Sequence, residues 1–260
     1  MQKWFYRFFI ELTNHRLSSI ILKKFSQSKL SAILIPSYVR IYKINQAEME
    51  KELNEMRTLQ ELFTRKLKKD QRVINHETLS VISPVDGVIA ETGQISQAKE
   101  IIVKDKHYSI AEMLGDNDLL TKYIGGDFII IYLSPSHYHR IHSPISGVIT
   151  KQWVLGKKSY PVNTLGLKHG KSPLSKNYRK ITEIKVDDAH IAIVKVGAMF
   201  VNSIETTHTS EHLTKGEEMA YFSFGSTVIL LFEKDKLRLN PISKADPHIR
   251  VGEVLGYLRD

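Results

Sequence analysis

The chain contains no cysteine, which excludes disulfides, thiolate metal centres and cysteine nucleophiles and leaves Ser, Thr, Lys or a carboxylate for any covalent chemistry. Long uncharged apolar runs are missing as well. Arg7 interrupts the first apolar stretch, and Lys23 and Lys24 interrupt the second. Nowhere do the ~18 apolar residues of a membrane-crossing helix stand together. No small-residue cleavage site follows a clean apolar core, so a cleavable signal peptide is not expected. Acids are scarce at the start: residues 1–43 carry eight Lys and Arg against Glu11 alone. Most of the net charge of +9 therefore sits in this segment, a distribution suited to an anionic surface.

At 260 residues the length fits one large domain, or one domain with a helical appendage. Trp4, Phe5, Phe8, Phe9 and Leu12 recur at helical spacing while Lys3, Arg7 and Glu11 fall on another face. A helix lying in a membrane interface is built this way, although a helix docked on its own domain has the same pattern. Residues 46–68 read as helical, with Met49, Leu53, Met56, Leu59 and Phe63 on one stripe and a capping box from Thr58 to Glu61. Beyond them the texture changes. Residues 128–133, 190–201 and 226–232 are short runs rich in Val and Ile between turn formers, which predicts strands. Ser109 with Glu112 predicts the start of a short helix. The expected class is α+β: a basic, amphipathic helical region over residues 1–68 and a β-rich body over residues 69–260.

The body contains an echo. Ser83-Pro84-Val85-Asp86-Gly87-Val88-Ile89 and Ser143-Pro144-Ile145-Ser146-Gly147-Val148-Ile149 share the pattern Ser-Pro-apolar-x-Gly-Val-Ile, 60 residues apart. Two similar turns entering strands suggest a duplicated β unit, although the same turn chemistry occurs in any β protein. Ser146 stands where the first copy has Asp86. The turn therefore does not require the carboxylate, and another role opens for it.

Three features could carry chemistry: Asp86, the histidines His137, His139 and His142, and Gly225-Ser226-Thr227 ahead of an apolar strand. Each has a plainer reading, since a turn Asp commonly bonds backbone N–H groups and Gly-Ser before a strand is commonly a turn. The histidine spacing resembles the His-x-His-x-Asp-His motif of metallo-β-lactamase-like hydrolases, but Ile141 stands where that motif has its Asp. Three histidines plus water could still hold one zinc.

Together these segments resemble the phosphatidylserine decarboxylase proenzyme family, of the pyruvoyl-dependent prokaryotic type, over nearly the whole chain. Lys215-Gly216-Glu217-Glu218-Met219 leads to Phe224-Gly225-Ser226-Thr227-Val228 as in the family's cleavage segment. Tyr138-His139-Arg140-Ile141-His142 and Pro84-Val85-Asp86-Gly87 are similar to two further family motifs, and Tyr160-Pro161-Val162-Asn163, Val196-Gly197-Ala198 and Ser203-Ile204-Glu205 stand in the family's order. Tyr178 and Ala220 depart from it, where Glu and Gly are common.

The resemblance implies self-cleavage between Gly225 and Ser226 into a β chain of residues 1–225 and an α chain of residues 226–260. Ser226 would become a covalent pyruvoyl group, with Asp86, His142 and Ser226 as the cleavage relay. The pyruvoyl carbonyl would form a Schiff base with phosphatidylserine, releasing CO2 and phosphatidylethanolamine, with His139 as proton donor and His142 as the second choice. No metal is implied, and His137 is left without a role. The expected partners are phosphatidylserine, an anionic membrane surface and the two cleaved chains. A homodimer is allowed for, a nucleic acid is not expected, and the expected location is peripheral, on the cytoplasmic face of the cell membrane. Two other classes stay open: a barrel-sandwich carrier module, against which stands the lack of a Met-Lys-Met or Asp-Lys-Ala signature, and a His-ligated zinc hydrolase.

Overall fold

The computed structural model describes residues 16–98, 100–103, 106–115, 117–162, 166–167, 170–198, 204–223, 226–241 and 247–259. Six α-helices are described: α1 (Arg16–Gln27), α2 (Ile35–Tyr42), α3 (Leu59–Phe63), α4 (Ile110–Leu114), α5 (Asn117–Tyr123) and α6 (Pro173–Lys176). The strands in chain order are β1 (Ser80–Ile82), β2 (Gly87–Gln94), β3 (Glu100–Val103), β4 (Lys106–Ser109), β5 (Asp127–Leu133), β6 (Arg140–His142), β7 (Gly147–Leu155) and β8 (Arg179–Val186). They continue with β9 (Ala189–Gly197), β10 (Ile204–Thr206), β11 (His212–Leu213), β12 (Glu218–Phe222), β13 (Ser226–Phe232), β14 (Leu237–Leu239), β15 (His248–Ile249) and β16 (Val254–Leu258). The chain is α+β with a mainly β body, as its texture implied. The amphipathic run from Trp4 to Leu12 lies outside the described residues.

Residues 46–68 do not form one helix. Only α3 is α-helical, preceded by single 3-10 turns at Gln46–Glu48 and Leu53–Glu55. Local side-chain bonds compete with helix propagation here: Asn45 Oδ1 accepts the Ala47 N–H and Glu55 Oε2 accepts the Glu52 N–H. Half of the expected capping box forms, with Thr58 Oγ1 accepting the Glu61 N–H at 3.1 Å. The Glu61 carboxylate reaches one residue further back, to the Arg57 N–H. The apolar stripe is satisfied by packing instead, since Met49, Met56 and Leu59 join Ile35 and Val39 of α2 in a separate small core. At α4 the sequence reading holds: Ser109 Oγ accepts the Glu112 N–H at 3.1 Å, and Gly115 closes the helix at φ +66°.

The main sheet has eight strands in the order β11-β7-β8-β9-β13-β5-β2-β15. Every residue of its central strand β13 is buried. Val228, Leu230 and Phe232 face one core, shared with the three-stranded sheets β1-β16-β14 and β10-β12-β6. Ile229 and Leu231 face a second core, closed by α4, α5 and the β3–β4 hairpin. Alternation along a strand buried on both faces gives this two-core arrangement. Each such side chain contributes about 1.5–3 kcal/mol of burial.

The two Ser-Pro turns are closed by the same bond, Ser83 Oγ to the Val85 carbonyl and Ser143 Oγ to the Ile145 carbonyl, both 2.7 Å. They grip each other: the His142 N–H donates to the Pro84 carbonyl (2.8 Å) and the Ile82 N–H to the Pro144 carbonyl (3.0 Å). Gly252 and Gly216, at φ +93° and +83°, donate their N–H groups to the Ser83 and Ser143 carbonyls respectively. At both sites the left-handed backbone suits glycine.

Candidate active site

The connection 134–139 links two sheets, because β5 pairs with β13 in the main sheet and β6 with β12 in a three-stranded one. It forms a seam with the end of β12, stitched where the Phe222 N–H donates to the His139 carbonyl at 3.0 Å. Ser226 opens β13 on this seam, paired with Leu133 of β5 and Gly197 of β9. Its side chain is fully buried, and its Oγ has no hydrogen-bond partner among the described residues. Leaving a buried hydroxyl unmade costs about 1–3 kcal/mol. Gly225, the other side of the expected cleavage bond, lies outside the described residues. Thr227 Oγ1 is also buried and unpartnered among the described residues, but alternation points it to the opposite face of β13.

Among the described residues His139 is the third with a buried, unpartnered polar side-chain atom, its Nε2. Its Nδ1 lies 2.9 Å from the His137 carbonyl, and its ring stacks on Phe63 with centroids 3.9 Å apart. A carbonyl accepts only from N–H, so the proton sits on Nδ1 and Nε2 presents a lone pair. Burial, reinforced by the nearby Arg65 charge, holds its pKa well below 6.5. The ring is therefore neutral at pH 7.

His142 follows the same logic. Its Nδ1 lies 2.8 Å from the Gly216 carbonyl, and its Nε2 accepts from the Tyr138 hydroxyl at 3.2 Å. Burial lowers its pKa below 6.5, while the Gly216 carbonyl and the charges of Glu218 and Asp86 pull it back up. The result is a neutral imidazole with a basic nitrogen, the state a general base requires.

Asp86 lies on the turn that the His142 backbone grips, but its carboxylate bonds elsewhere. Oδ1 accepts the Val251 N–H at 2.9 Å, and both oxygens are held by the Arg72 guanidinium, which also reaches Glu48 at 2.9 Å. In the matching turn, Ser146 Oγ accepts the Lys215 N–H at 2.9 Å. A hydroxyl thus meets the same backbone demand, and the negative charge of Asp86 exceeds what the turn needs. Among the described residues, Asp86 and His142 share no hydrogen bond, nor do His142 and Ser226. Asp86 acts on His142 through its field.

Residues 59–257 match the family model described as phosphatidylserine decarboxylase. The chain belongs to the phosphatidylserine decarboxylase family. It is 64% identical over 259 residues, covering all of both chains, to the phosphatidylserine decarboxylase proenzyme of Geobacillus sp. (strain WCH70). The proenzyme of the same name from Geobacillus kaustophilus (strain HTA426) is 61% identical across 99% of this chain and 97% of its own. That of Bacillus thuringiensis subsp. konkukian (strain 97-27) is 58% identical, covering 97% of each. Asp86, His139, His142 and Ser226 all fall inside the decarboxylase family match, whereas α1 and α2 precede it. Neither the carrier module nor the zinc hydrolase gains support from these relatives. Sequence reasoning missed Arg65, Arg72 and Glu48. Arg72 sits in a polar loop 14 residues before Asp86, and no periodic pattern links the two.

Proposed function

We propose that the chain is the precursor of a pyruvoyl-dependent phosphatidylserine decarboxylase, matured by its own Ser226. The observation that carries this reading is the fully buried Ser226 hydroxyl, unpartnered among the described residues, at the head of the central strand. In self-cleavage Ser226 Oγ attacks the Gly225 carbonyl carbon and gives its proton to His142 Nε2. The His142 imidazolium returns that proton to the Ser226 nitrogen as the Gly225–Ser226 C–N bond breaks, which leaves an ester and a free amine. Loss of the Cα proton then expels the Gly225 carboxylate, and water converts the resulting dehydroalanine to a ketone with release of ammonia. Asp86 stabilises the imidazolium that forms on His142 by charge.

The buried seam suits a ketone at position 226, because no described polar group competes for that atom. The pyruvoyl group, once made, supplies an electron sink for decarboxylation of a bound primary amine. His139, neutral with a bare Nε2, must take up a proton before it can return one to the product carbon, so it acts as a proton carrier. The matched turns support reading a duplicated turn-strand unit within the catalytic body over residues 69–260, with the helical region over 1–68 as its membrane address. We place the enzyme peripherally on the cytoplasmic face of the membrane.

The address rests on side chains left uncovered: Leu30 is 76% exposed, Ile33 82% and Ile41 70%, beside Lys29, Arg40 and Lys43. No helix among the described residues is long and apolar enough to cross a membrane. Exposed apolar groups with flanking bases fit an interface, and each base near an anionic leaflet adds ~1 kcal/mol. The purified protein is expected to release CO2 from phosphatidylserine vesicles. Ile33→Glu with Ile41→Glu should cut that rate at least fivefold while leaving the rate on detergent-dispersed substrate within twofold. Equal rates on vesicles would refute the membrane address, and no CO2 from either form of substrate would refute the function.

A further inference from the structure

A cleft of about 240 Å³ opens between Lys43 at the end of α2, the loop carrying Arg65 and Arg72, the 134–139 connection and Arg250 beside β15. Four cations line it, Lys43, Arg65, Arg72 and Arg250, against two acids, Glu48 and Asp86. Both acids are already held by Arg72. Arg65 is 5% exposed, and its guanidinium donates to the carbonyls of Leu62 (3.2 Å), Ser136 (2.7 Å) and His137 (2.9 Å). Among the described residues no carboxylate lies within ion-pair distance of it. Burial lowers its pKa to about 10, which leaves it charged at pH 7. Its charge is compensated by these three carbonyls and, at longer range, by Asp86 and Glu48.

The remaining groups keep donors to spare. The Lys43 ammonium has no hydrogen bond or ion pair among the described residues, and Arg250 forms one long ion pair, to Glu48 at 3.8 Å. His137 Nδ1 accepts the Ser134 N–H at 3.0 Å, which fixes the neutral ring with its proton on Nε2. Burial lowers the pKa of His137, so this donor stays neutral near pH 7. The cleft therefore carries four cations against two acids, with the His137 N–H beside them, next to the same connection that carries His139. A carboxylate is flat and offers two oxygens, whereas a phosphate offers acceptors in several directions and suits Arg and Lys arriving from different sides.

We propose that this cleft seats a phosphate group, that of the phospholipid headgroup, through Arg65, Lys43, Arg250 and the Nε2–H of His137. The inference rests on the decarboxylase reading, in which the headgroup phosphate must be held while the serine amine reaches position 226. It gives His137 the role that the family motif left open.

The test uses the matured protein and two exposed variants, Lys43→Ala and Arg250→Ala. Each should raise KM for detergent-dispersed phosphatidylserine about tenfold, equivalent to ~1.4 kcal/mol, with kcat within twofold. O-acylserine, which lacks phosphate, should react equally well with all three proteins. Inorganic phosphate should raise the melting temperature of the unmodified protein and shift it less in the variants. Competition of inorganic phosphate with the lipid would assign the seat to the headgroup. Thermal stabilisation without competition would assign it to free phosphate and overturn the headgroup role. Unchanged KM together with an unchanged phosphate shift in both variants would overturn the seat itself. An unmodified protein that stabilises with phosphate but decarboxylates nothing would remove the function and leave the seat standing.

Discussion

Replacing Ser226 with Ala should leave one intact chain, with decarboxylation at the uncatalysed background. The substitution removes the only oxygen that can attack the preceding carbonyl from this position, and with it the source of the ketone. Its structural cost should be small or favourable, because the lost hydroxyl is fully buried and bonds nothing among the described residues. Removing an unsatisfied buried donor relieves about 1–3 kcal/mol. The variant should therefore melt no lower than the uncut precursor, which separates loss of chemistry from loss of fold. Denaturing electrophoresis reads the outcome. A Ser226→Ala protein that still splits at that bond would sink the nucleophile assignment.

His142→Ala should slow self-cleavage by about 10²- to 10⁴-fold, the usual worth of a positioned general base. The pH dependence gives a second handle. Burial holds the His142 pKa below 6.5, and the base works deprotonated. The rate should stay level on acidification down to the ordinary histidine value and fall only below it, as the ring takes up a proton. Conversion half-times of freshly refolded precursor across pH 5 to 8, followed on gels, measure this. A half-time within threefold of the unmodified protein, or a rate that falls as pH rises from 6.5, would remove His142 from the step.

Much of this was legible in the residues. Residues 226–232 read as a strand because Val and Ile crowd a short run, and β13 has those bounds. The Ser109 cap could be read because a single side chain and the N–H three residues on decide it. The comparison of Asp86 with Ser146 also carried through, since Ser146 makes the backbone bond without a charge. What stayed hidden depends on distant partners. The helix expected over residues 46–68 broke into turns because Asn45 and Glu55 bond the backbone locally and α2 covers the stripe. The Arg72 clamp joins residues 24 and 14 positions away. Lys195 was hidden for the opposite reason: within an apolar strand it is 1% exposed, bonded to Thr182 Oγ1 at 2.6 Å and held by burial at a pKa of about 7.

In the proposed reading the cleavage relay and the lipid headgroup share one small region. The seam holding Ser226 and His139 is buried, whereas the cleft beside Asp86 is lined with charge. Elimination and carbanion chemistry benefit from the first environment and recognition of an anion from the second. Asp86 stands at the border, tied to Arg72 on the charged side while its field reaches His142 on the other.

The most direct measurement is the intact mass of the purified protein under denaturing conditions. Two species should be found, one ending at Gly225 and one of residues 226–260 whose first residue carries a ketone in place of the serine amine. A single uncut chain in fresh preparations that release CO2 from phosphatidylserine would contradict the account.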